Sequence, residues 1–215
     1  MLLAPGQQFN KYHVIDELGR GSFGTVYAAK DILMDRECAL KFVQNQDPTQ
    51  FKAHYEAQVL HKCRHKQIVS VNSVDILTIP GGAPYAVIDM ELCSGSVITL
   101  VESNHISIKT SIKILIDVLF ALEHTHKQNV LHRDIKPSNI LMKGTHYKLG
   151  DFGISQNGLA GRGGGSPAYC APEVLTDRTT NVTTDIFSLG ITLFQLANSY
   201  PDLSQWIKDE TPIRA

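Results

Sequence analysis

The chain has 215 residues, of which 43% are hydrophobic, and a formal net charge of -1 at pH 7. This length suffices for one large domain or two small lobes with a sizeable core, and the near-neutral charge argues against nucleic acid or a membrane surface as the main partner. No apolar stretch is long enough to span a bilayer, and the four cysteines lack paired spacing, so we expect a reducing, cytoplasmic setting without disulfides or a zinc site.

Residues 1–10 are predicted to form a loose leader, followed by a strand from Lys11 to Leu18. Residues 19–24 then read Gly-Arg-Gly-Ser-Phe-Gly, a pattern that also marks dinucleotide-binding turns. In such a turn the glycines open a helix, whereas here the chain continues into residues 25–29, which are rich in strand formers. We therefore predict a hairpin whose glycines let it lie close over phosphate groups.

The next predicted strand, Glu37 to Val43, carries Lys41 inside an apolar run. Most lysines are solvated, and a partly buried ammonium group needs a carboxylate partner to be tolerated. A helix is predicted to begin near residues 47–49, and it places Glu56 just above its apolar face. Glu56 is thus the candidate partner of Lys41, and the alternative is a solvent-facing helix carboxylate.

Two further strands are predicted, from Ser70 to Thr78 and from Tyr85 to Leu92, because a Pro-Gly-Gly-Ala-Pro turn separates them. A helix is predicted from Ser107 to Lys127, since its apolar residues recur with helical period. These residues are Leu115, Val118, Leu119 and Leu122. This stripe is interpreted as core rather than as a cofactor-binding element.

An acid, a cation and an amide then stand at fixed offsets in His-Arg-Asp-Ile-Lys-Pro-Ser-Asn, residues 132–139. Twelve residues past Asn139, a second acid opens Asp-Phe-Gly, residues 151–153. Phosphoryl transfer from ATP needs such a set, because one carboxylate orients a hydroxyl group and others hold Mg²⁺ against the phosphates.

These two segments resemble the catalytic loop and the metal-binding triplet of the eukaryotic-type (Hanks-type) serine/threonine protein kinase family. Each motif alone is weak, but together, in this order and at kinase-like spacing, they are specific. The resemblance runs from about Lys11 to the C-terminus. It implies an α+β, bilobal fold, with a β-rich N-lobe over residues 11–93 and a mainly helical C-lobe over residues 94–215. It also implies ATP and Mg²⁺ as cofactors and a protein hydroxyl as the phosphate acceptor.

The resemblance further implies roles for the matching residues of the second half. Asp134 would orient the substrate hydroxyl, and Lys136 would contact the transferred phosphate. The position of Lys136, two residues after Asp134, resembles the serine/threonine-specific pattern. Asn139 and Asp151 would hold the metal, and Ser166 would help to anchor the substrate.

In the first half, the resemblance implies an ion pair between Lys41 and Glu56, with the ammonium group on the α- and β-phosphates. Residues 90–95 resemble the segment that binds the adenine edge, with Met90 gating the back of the pocket. The expected ATP-binding residues are Gly19, Arg20, Gly21, Ser22, Phe23, Gly24, Val26, Ala39, Lys41, Met90, Glu91, Cys93 and Leu141. All these groups are expected to meet in a single cleft between the two lobes.

Two structural roles and one departure complete the comparison with the family. His132 is interpreted as a packing residue, and Asp185 as the residue that holds the catalytic-loop backbone by hydrogen bonds. After Tyr200 the chain has barely fifteen residues, where the family's catalytic domains continue for several helices. We therefore expect a truncated or unusually short C-lobe, covered by a partner or by self-association.

Three functions are weighed. The leading hypothesis is an ATP-dependent serine/threonine protein kinase. A pseudokinase-like nucleotide-binding scaffold or a partner-completed regulatory module is the second, suggested by the short C-lobe and by Val97 where a ribose-contacting polar residue is usual. A small-molecule phosphotransferase is the third. The catalytic positions argue against the second, because Lys41, Glu56, Asp134, Asn139 and Asp151 are all filled. Lys136 and the Ala-Pro-Glu segment at residues 171–173 favour a peptide substrate over the third.

Overall fold

The computed structural model describes residues 2–21, 24–44, 62–78, 82, 84–103, 106–152, 166–176, 179–200 and 203. The chain divides into two compact units: Met1–Arg64 with Val69–Cys93, and His65–Ile68 with Ser94–Ala215. Residues 65–68, which the sequence placed in the N-lobe, thus belong to the second unit. The reason is backbone pairing, since Ile68 forms a parallel bridge with Leu149 and the Leu149 N–H donates to the Gln67 carbonyl at 2.8 Å.

The first unit is built on a six-stranded sheet in which every neighbouring pair is antiparallel. Its strands are β1 (Gln8–Phe9), β2 (Tyr12–Gly21), β3 (Gly24–Asp31), β4 (Arg36–Gln44), β5 (Val71–Thr78) and β6 (Pro84–Glu91). The spatial order is β1-β2-β3-β4-β6-β5. The predicted strands are therefore present, with β2 extending through the first two glycines of the hairpin.

The two faces of this sheet differ in chemistry, because successive side chains of a strand point to opposite sides. On one face, Tyr27, Leu40 and Phe42 belong to a buried, largely aromatic and aliphatic cluster. On the other face, Ala39 and Lys41 alternate with these residues along β4. The unit thus buries one face as core and carries its lysine on the opposite face.

The expectation of a loose leader over residues 1–10 is wrong for the described residues 2–10. Leu3 is only 1% exposed and packs with Phe9 in the same cluster as Tyr27. The backbone N–H groups of Leu2 and Leu3 both donate to the Tyr27 hydroxyl, at 3.1 and 3.2 Å. Burial of Leu3 offsets the entropy cost of ordering this segment, which the sequence reading underestimated.

The second unit is mainly helical. Its helices are α1 (Ile98–Glu102), α2 (Ile108–Lys127), α3 (Pro172–Thr176) and α4 (Val182–Asn198), with 3-10 turns at Pro137–Asn139 and Pro167–Tyr169. A small antiparallel sheet accompanies them in the order β7 (Gly95–Ser96), β8 (Ile140–Lys143) and β9 (His146–Leu149). A β-rich unit followed by a mainly helical one confirms the predicted α+β class. Among the described helices, none combines the length and apolar character that crossing a membrane requires.

Helix α2 begins as predicted, because the Ser107 side chain caps it by accepting a hydrogen bond from the Thr110 N–H. Its buried side runs through Ile114, Val118 and Leu122 and packs against β9 and α4. The inclusion of Leu119 in this stripe is wrong, since that side chain is 41% exposed. The buried face is rotated towards polar residues of the helix such as Asp117 and Thr125, which are themselves hydrogen-bonded.

Candidate functional site

The glycine hairpin joins β2 to β3, with Gly21 paired to Gly24 at its tip. Gly24 has a φ of +126°, and a Cβ atom there would lie 2.1 Å from the Phe42 carbonyl oxygen, so only glycine fits. By contrast, a Cβ atom at Gly19 or Gly21 would meet no atom of the described residues within 4 Å. Among the described residues, packing therefore accounts for Gly24 but not for Gly19 or Gly21.

The Lys41 side chain lies on the sheet face opposite the aromatic core and is only 5% exposed. It is directly opposite Val26 of β3 and Ile88 of β6, and Ala28 pairs with Ala39 one step further along the same face. Because directly paired residues project to the same side, the Lys41 side chain leaves the sheet among small and branched apolar side chains. This face therefore combines a cation with apolar residues.

Near the end of β6, Met90 continues this face and Glu91 projects to the opposite one. Met90 is paired with Ala39, and Glu91 with Cys38. The Glu91 N–H donates to the Ser70 carbonyl at 3.0 Å, and the Ser70 N–H donates to the Glu91 side chain at 2.7 Å. Any bond from the Glu91 backbone to a base edge therefore falls to its carbonyl oxygen.

In the second unit, the loop that follows α2 is held by a buried carboxylate from α4. Asp185 is fully buried and accepts hydrogen bonds from the backbone N–H groups of His132 and Arg133, at 2.9 and 2.7 Å. The same carboxylate lies 2.8 Å from the His126 ring nitrogen. Asp185 therefore holds the loop backbone as the sequence predicted, while the contribution of His126 was missed.

The His132 ring is a fully buried support for the same loop. Its Nδ1 accepts a hydrogen bond from the Asp134 N–H at 3.3 Å, so its Nε2 carries the proton and donates to the Gly150 carbonyl at 2.8 Å. The ring also packs edge-on against Phe152, with centroids 4.6 Å apart. This neutral imidazole links the loop to the residues beside Asp151, and it fits the predicted packing role.

Four predicted site residues converge in a catalytic-loop cluster, defined here as Asp134, Lys136, Asn139 and Ser166. Asp134 is 3% exposed, and its carboxylate lies 2.7 Å from Lys136 Nζ. Asn139 Nδ2 donates to Asp134 Oδ2 at 2.9 Å and to the Asp134 carbonyl at 2.7 Å. The Ser166 N–H donates to Asp134 Oδ1 at 3.0 Å, and Lys136 Nζ donates to Ser166 Oγ at 2.8 Å. The carboxylate is thus fixed in orientation and beside a cation.

The oxygen donors expected to bind a metal also lie in the second unit. Because the Asn139 amide nitrogen donates to Asp134, its carbonyl oxygen is the atom available to a cation. Asp151 has a φ of +59°, a left-handed conformation that is uncommon outside glycine and often found at functional sites. An amide and a carboxylate oxygen fit Mg²⁺, which prefers oxygen ligands and takes its remaining ligands from water and phosphate. Within the described residues, no cluster of three or more His, Cys, Asp or Glu offers an all-protein metal site.

The segment that follows Ser166 is tied to α4. The Ser188 hydroxyl donates to the Tyr169 carbonyl at 2.8 Å, and the Tyr169 hydroxyl donates to the Gln195 side chain at 2.6 Å. Burial raises the pKa of the Cys170 thiol, and the Asp134 and Glu173 carboxylates raise it further. Cys170 is therefore a neutral thiol at the edge of the catalytic-loop cluster.

The remaining predicted residues are only partly tested by these contacts. Ser22, Phe23 and Glu56 lie outside the described residues, so the Lys41–Glu56 pair stays a prediction. Arg20 donates to Glu17 at 3.2 Å, and about half of its side chain is exposed, so its role in binding ATP stays a prediction. Cys93 follows β6 and Leu141 lies in β8, and both residues are half-buried. The meeting of both halves in one cleft also stays a prediction.

A polar network at the end of β6, centred on Asp89, was not expected from the sequence. This aspartate is 1% exposed and contacts Tyr12, Arg36 and Asn72. One signal was available, because Asp89 is the only charged residue in the apolar run 86–90. Its partners lie 77, 53 and 17 residues away, and their identity could not be read from that run.

Comparisons with known proteins identify the family to which the chain belongs. Residues 12–213 match the protein kinase domain family. The serine/threonine-protein kinase dst2 of Dictyostelium discoideum is 34% identical over 209 residues, which cover 90% of this chain and 18% of that protein. The serine/threonine-protein kinase PknK of Mycobacterium tuberculosis is 33% identical over 192 residues, 84% of this chain and 17% of that protein. The serine/threonine-protein kinase TIO of Arabidopsis thaliana is 30% identical over 200 residues, which cover 88% of this chain and 15% of that protein.

The chain thus spans less than a fifth of the length of these three relatives. Protein kinases generally use ATP and Mg²⁺ and act on protein substrates. The family match covers both units, including the glycine hairpin, Lys41 and the catalytic-loop cluster. The chain therefore belongs to the protein kinase domain family, with relatives among the eukaryotic-type (Hanks-type) serine/threonine kinases.

Proposed function

We propose that the chain is an ATP- and Mg²⁺-dependent serine/threonine protein kinase, which transfers the γ-phosphate of ATP to a hydroxyl group of a protein substrate. The observation that carries the proposal is the catalytic-loop cluster. Its Asp134 carboxylate is buried, oriented by Asn139 and Ser166, and 2.7 Å from an ammonium group. A carboxylate so placed orients a substrate hydroxyl and accepts its proton.

Lys136 stabilises the charge that develops on the transferred group. Its ammonium group already bridges Asp134 and Ser166, so it needs no rearrangement to act as a fixed positive charge. A fixed charge in a site of low dielectric stabilises a transition state more than mobile water does. Lys136 beside Asp134 also supports serine and threonine as acceptors, by resemblance to the family pattern.

The residues proposed to bind ATP have matching chemistry in the first unit. Lys41 supplies a buried positive charge for the α- and β-phosphates, with Glu56 as its proposed partner. Val26, Ala39 and Met90 supply an apolar surface for the base. Asn139 and Asp151 are the residues proposed to hold Mg²⁺, which would supply positive charge to neutralise the phosphate oxygens.

The experiment is transfer of labelled phosphate from ATP, with Mg²⁺, to a generic protein substrate. Asp134→Asn keeps the size of the side chain and removes the base, so we expect a loss of about 10²- to 10⁴-fold. Lys41→Ala removes the positive charge proposed to bind the phosphates, and we expect the transfer rate to fall about 10²- to 10³-fold. Asp75→Asn, at an exposed position of β5, is the matched control and keeps full activity.

Two outcomes would count against the proposal. Transfer that survives both Asp134→Asn and Lys41→Ala contradicts the mechanism, because neither the proposed base nor the proposed phosphate-binding cation would then be needed. Nucleotide binding without any transfer by the unaltered chain supports the scaffold alternative instead.

A covering partner or second copy on the C-lobe, and a cytoplasmic location, are further parts of this proposal. The first is supported by a stripe of α2 side chains that are 41–64% exposed: Ile108, Ile112, Ile116, Leu119 and Phe120. Contiguous exposed apolar residues of this kind mark interaction surfaces. The second is supported by the four cysteines, which are all free thiols, as in a reducing compartment.

A further inference from the structure

A buried carboxylate ties four strands together at one end of the first unit's sheet. Asp89 Oδ1 accepts hydrogen bonds from Asn72 Nδ2 at 2.9 Å and from Arg36 Nη1 at 3.2 Å. Its Oδ2 accepts from the Tyr12 hydroxyl at 3.1 Å and from Arg36 Nη2. These partners come from β2, β4 and β5, whereas Asp89 itself belongs to β6.

The network extends to a second buried carboxylate and is balanced in charge. Arg36 Nη2 also lies 3.4 Å from the fully buried carboxylate of Asp31. The same carboxylate forms an ion pair with Lys11 Nζ at 3.1 Å. Two carboxylates thus share two cations. Burial, reinforced by the Asp89 charge, raises the pKa of Tyr12 to about 12, so its hydroxyl remains a donor at neutral pH.

The backbone is shaped to bring Asn72 into this network. Val71 pairs with Met90 and Ser73 pairs with Asp89, so Asn72 is an extra residue in β5. Such a bulge redirects a side chain and is common beside functional sites. Here it places the Asn72 amide within hydrogen-bonding distance of Asp89, although Asn72 is an exposed residue.

Asp89 immediately precedes the hinge segment, defined here as residues 90–93. Since successive side chains of a strand alternate, the network holds one face of β6 while Met90 projects to the face that carries Ala39 and Lys41. Glu91 is fixed from the same edge through its two bonds with Ser70. The position of the Met90 side chain and of the Glu91 carbonyl thus depends on how firmly Asp89 is held.

We propose that Asp89 is a positioning residue that sets the affinity for ATP by fixing the hinge segment. The proposal rests on the proposed function for its ligand, but not for its geometry. A bidentate guanidinium–carboxylate pair has a narrow range of allowed orientations, so it fixes direction as well as distance. Loss of one partner leaves a buried group uncompensated and lets the strand end shift.

The main test is the Michaelis constant of ATP in phosphate transfer to a generic protein substrate. Asp89→Asn keeps the shape but removes the charge, and we expect the KM of ATP to rise about 10-fold while kcat changes less than about 2-fold. A split of this kind indicates lost binding of the ground state and transition state alike. A defect in overall folding would instead lower the active fraction and therefore kcat.

The pairing of Asp89 with Arg36 is tested by a double-mutant cycle. Arg36→Met should raise the KM of ATP by a similar factor, and the double variant should exceed the larger single effect by less than about 2-fold. The matched control is Asp35→Asn in the turn between β3 and β4, which removes an exposed ion pair with Lys30 at 2.6 Å. We expect its KM to be unchanged.

The inference is overturned if folded Asp89→Asn protein has a KM of ATP within about 2-fold of the unaltered chain, or if kcat falls while KM stays constant. Should Asp89→Asn not fold, Asn72→Ala decides instead, because it removes a single bond from an exposed residue. Its expected rise in KM is about 2- to 3-fold, and no rise contradicts the inference.

Amide hydrogen exchange separates this inference from the proposed function. The Glu91 N–H is bonded to Ser70, and we expect Asp89→Asn to speed its exchange about 10-fold without nucleotide present. If the unaltered chain binds no ATP but this exchange accelerates, the proposed function fails and the positioning of the hinge segment stands. Unchanged exchange overturns the positioning itself.

Discussion

Two buried aspartates organise the two units, and they do so in different ways. Asp185 of the helical unit is compensated mainly by backbone N–H groups of the catalytic loop, together with His126. Asp89 of the β-rich unit is compensated by side chains, above all by the guanidinium group of Arg36. Asp185 therefore holds a loop through hydrogen bonds to its backbone, whereas Asp89 joins strands through an ion pair.

This difference has an energetic consequence. Backbone donors cannot be mutated away, so removing Asp185 leaves buried N–H groups that no substitution elsewhere can satisfy. The Asp89 pair can be removed from both sides, and an apolar replacement of both partners is often neutral or stabilising. We expect Asp185 to matter for stability and Asp89 to matter more for ligand affinity.

The largest effect should follow from Asp185→Ala. It leaves the His132 and Arg133 N–H groups without their acceptor, and we expect the free energy of unfolding to fall by about 4 kcal/mol. Urea unfolding followed by circular dichroism measures this change. A loss below about 1 kcal/mol would show that water or another group replaces the carboxylate, and the contrast with Asp89 would then disappear.

A smaller effect should follow from Asp89→Leu, because Arg36 is partly exposed and keeps Asp31 as a partner. We expect a loss of about 2 kcal/mol in the free energy of unfolding. Adding Arg36→Met should recover most of it, since no unpaired charge then remains. A double variant that is less stable than Asp89→Leu alone in the same urea titration would contradict this difference between Asp89 and Asp185.

The smallest effect should appear in how the free energy of unfolding depends on pH in acid. Burial alone would raise the pKa of Asp31, but bonds from Lys11 and from the Met34 and Leu33 N–H groups outweigh it, so the pKa is lowered in the folded chain. The stabilisation is therefore complete above the unfolded-state pKa and is lost as pH falls through the lowered folded-state pKa. Asp31→Asn should make the free energy of unfolding fall less steeply between about pH 5 and pH 2. Parallel slopes in urea titrations over that range would contradict this.

The contacts among the proposed catalytic residues could be predicted from sequence because these residues are close in the chain. Asp134, Lys136 and Asn139 lie within six residues, so one turn of backbone brings them together, and Asp185 follows from the same motif set. The Asp89 network was not readable, since its bonds depend on strand order and on a bulge at Asn72. Leader packing was missed for a similar reason, as Leu3 is buried by strands far along the chain.

In the proposed mechanism, the Asp134 carboxylate orients a serine or threonine hydroxyl and accepts its proton as phosphate is transferred from ATP. The unaltered chain and Asp134→Asn are each given labelled ATP, Mg²⁺ and an equal mixture of peptides with serine, threonine or tyrosine as the only hydroxyl residue. We expect label on serine or threonine peptides with the unaltered chain, and at least about 10²-fold less with Asp134→Asn. Equal labelling by both chains, or label on tyrosine peptides alone, would contradict it.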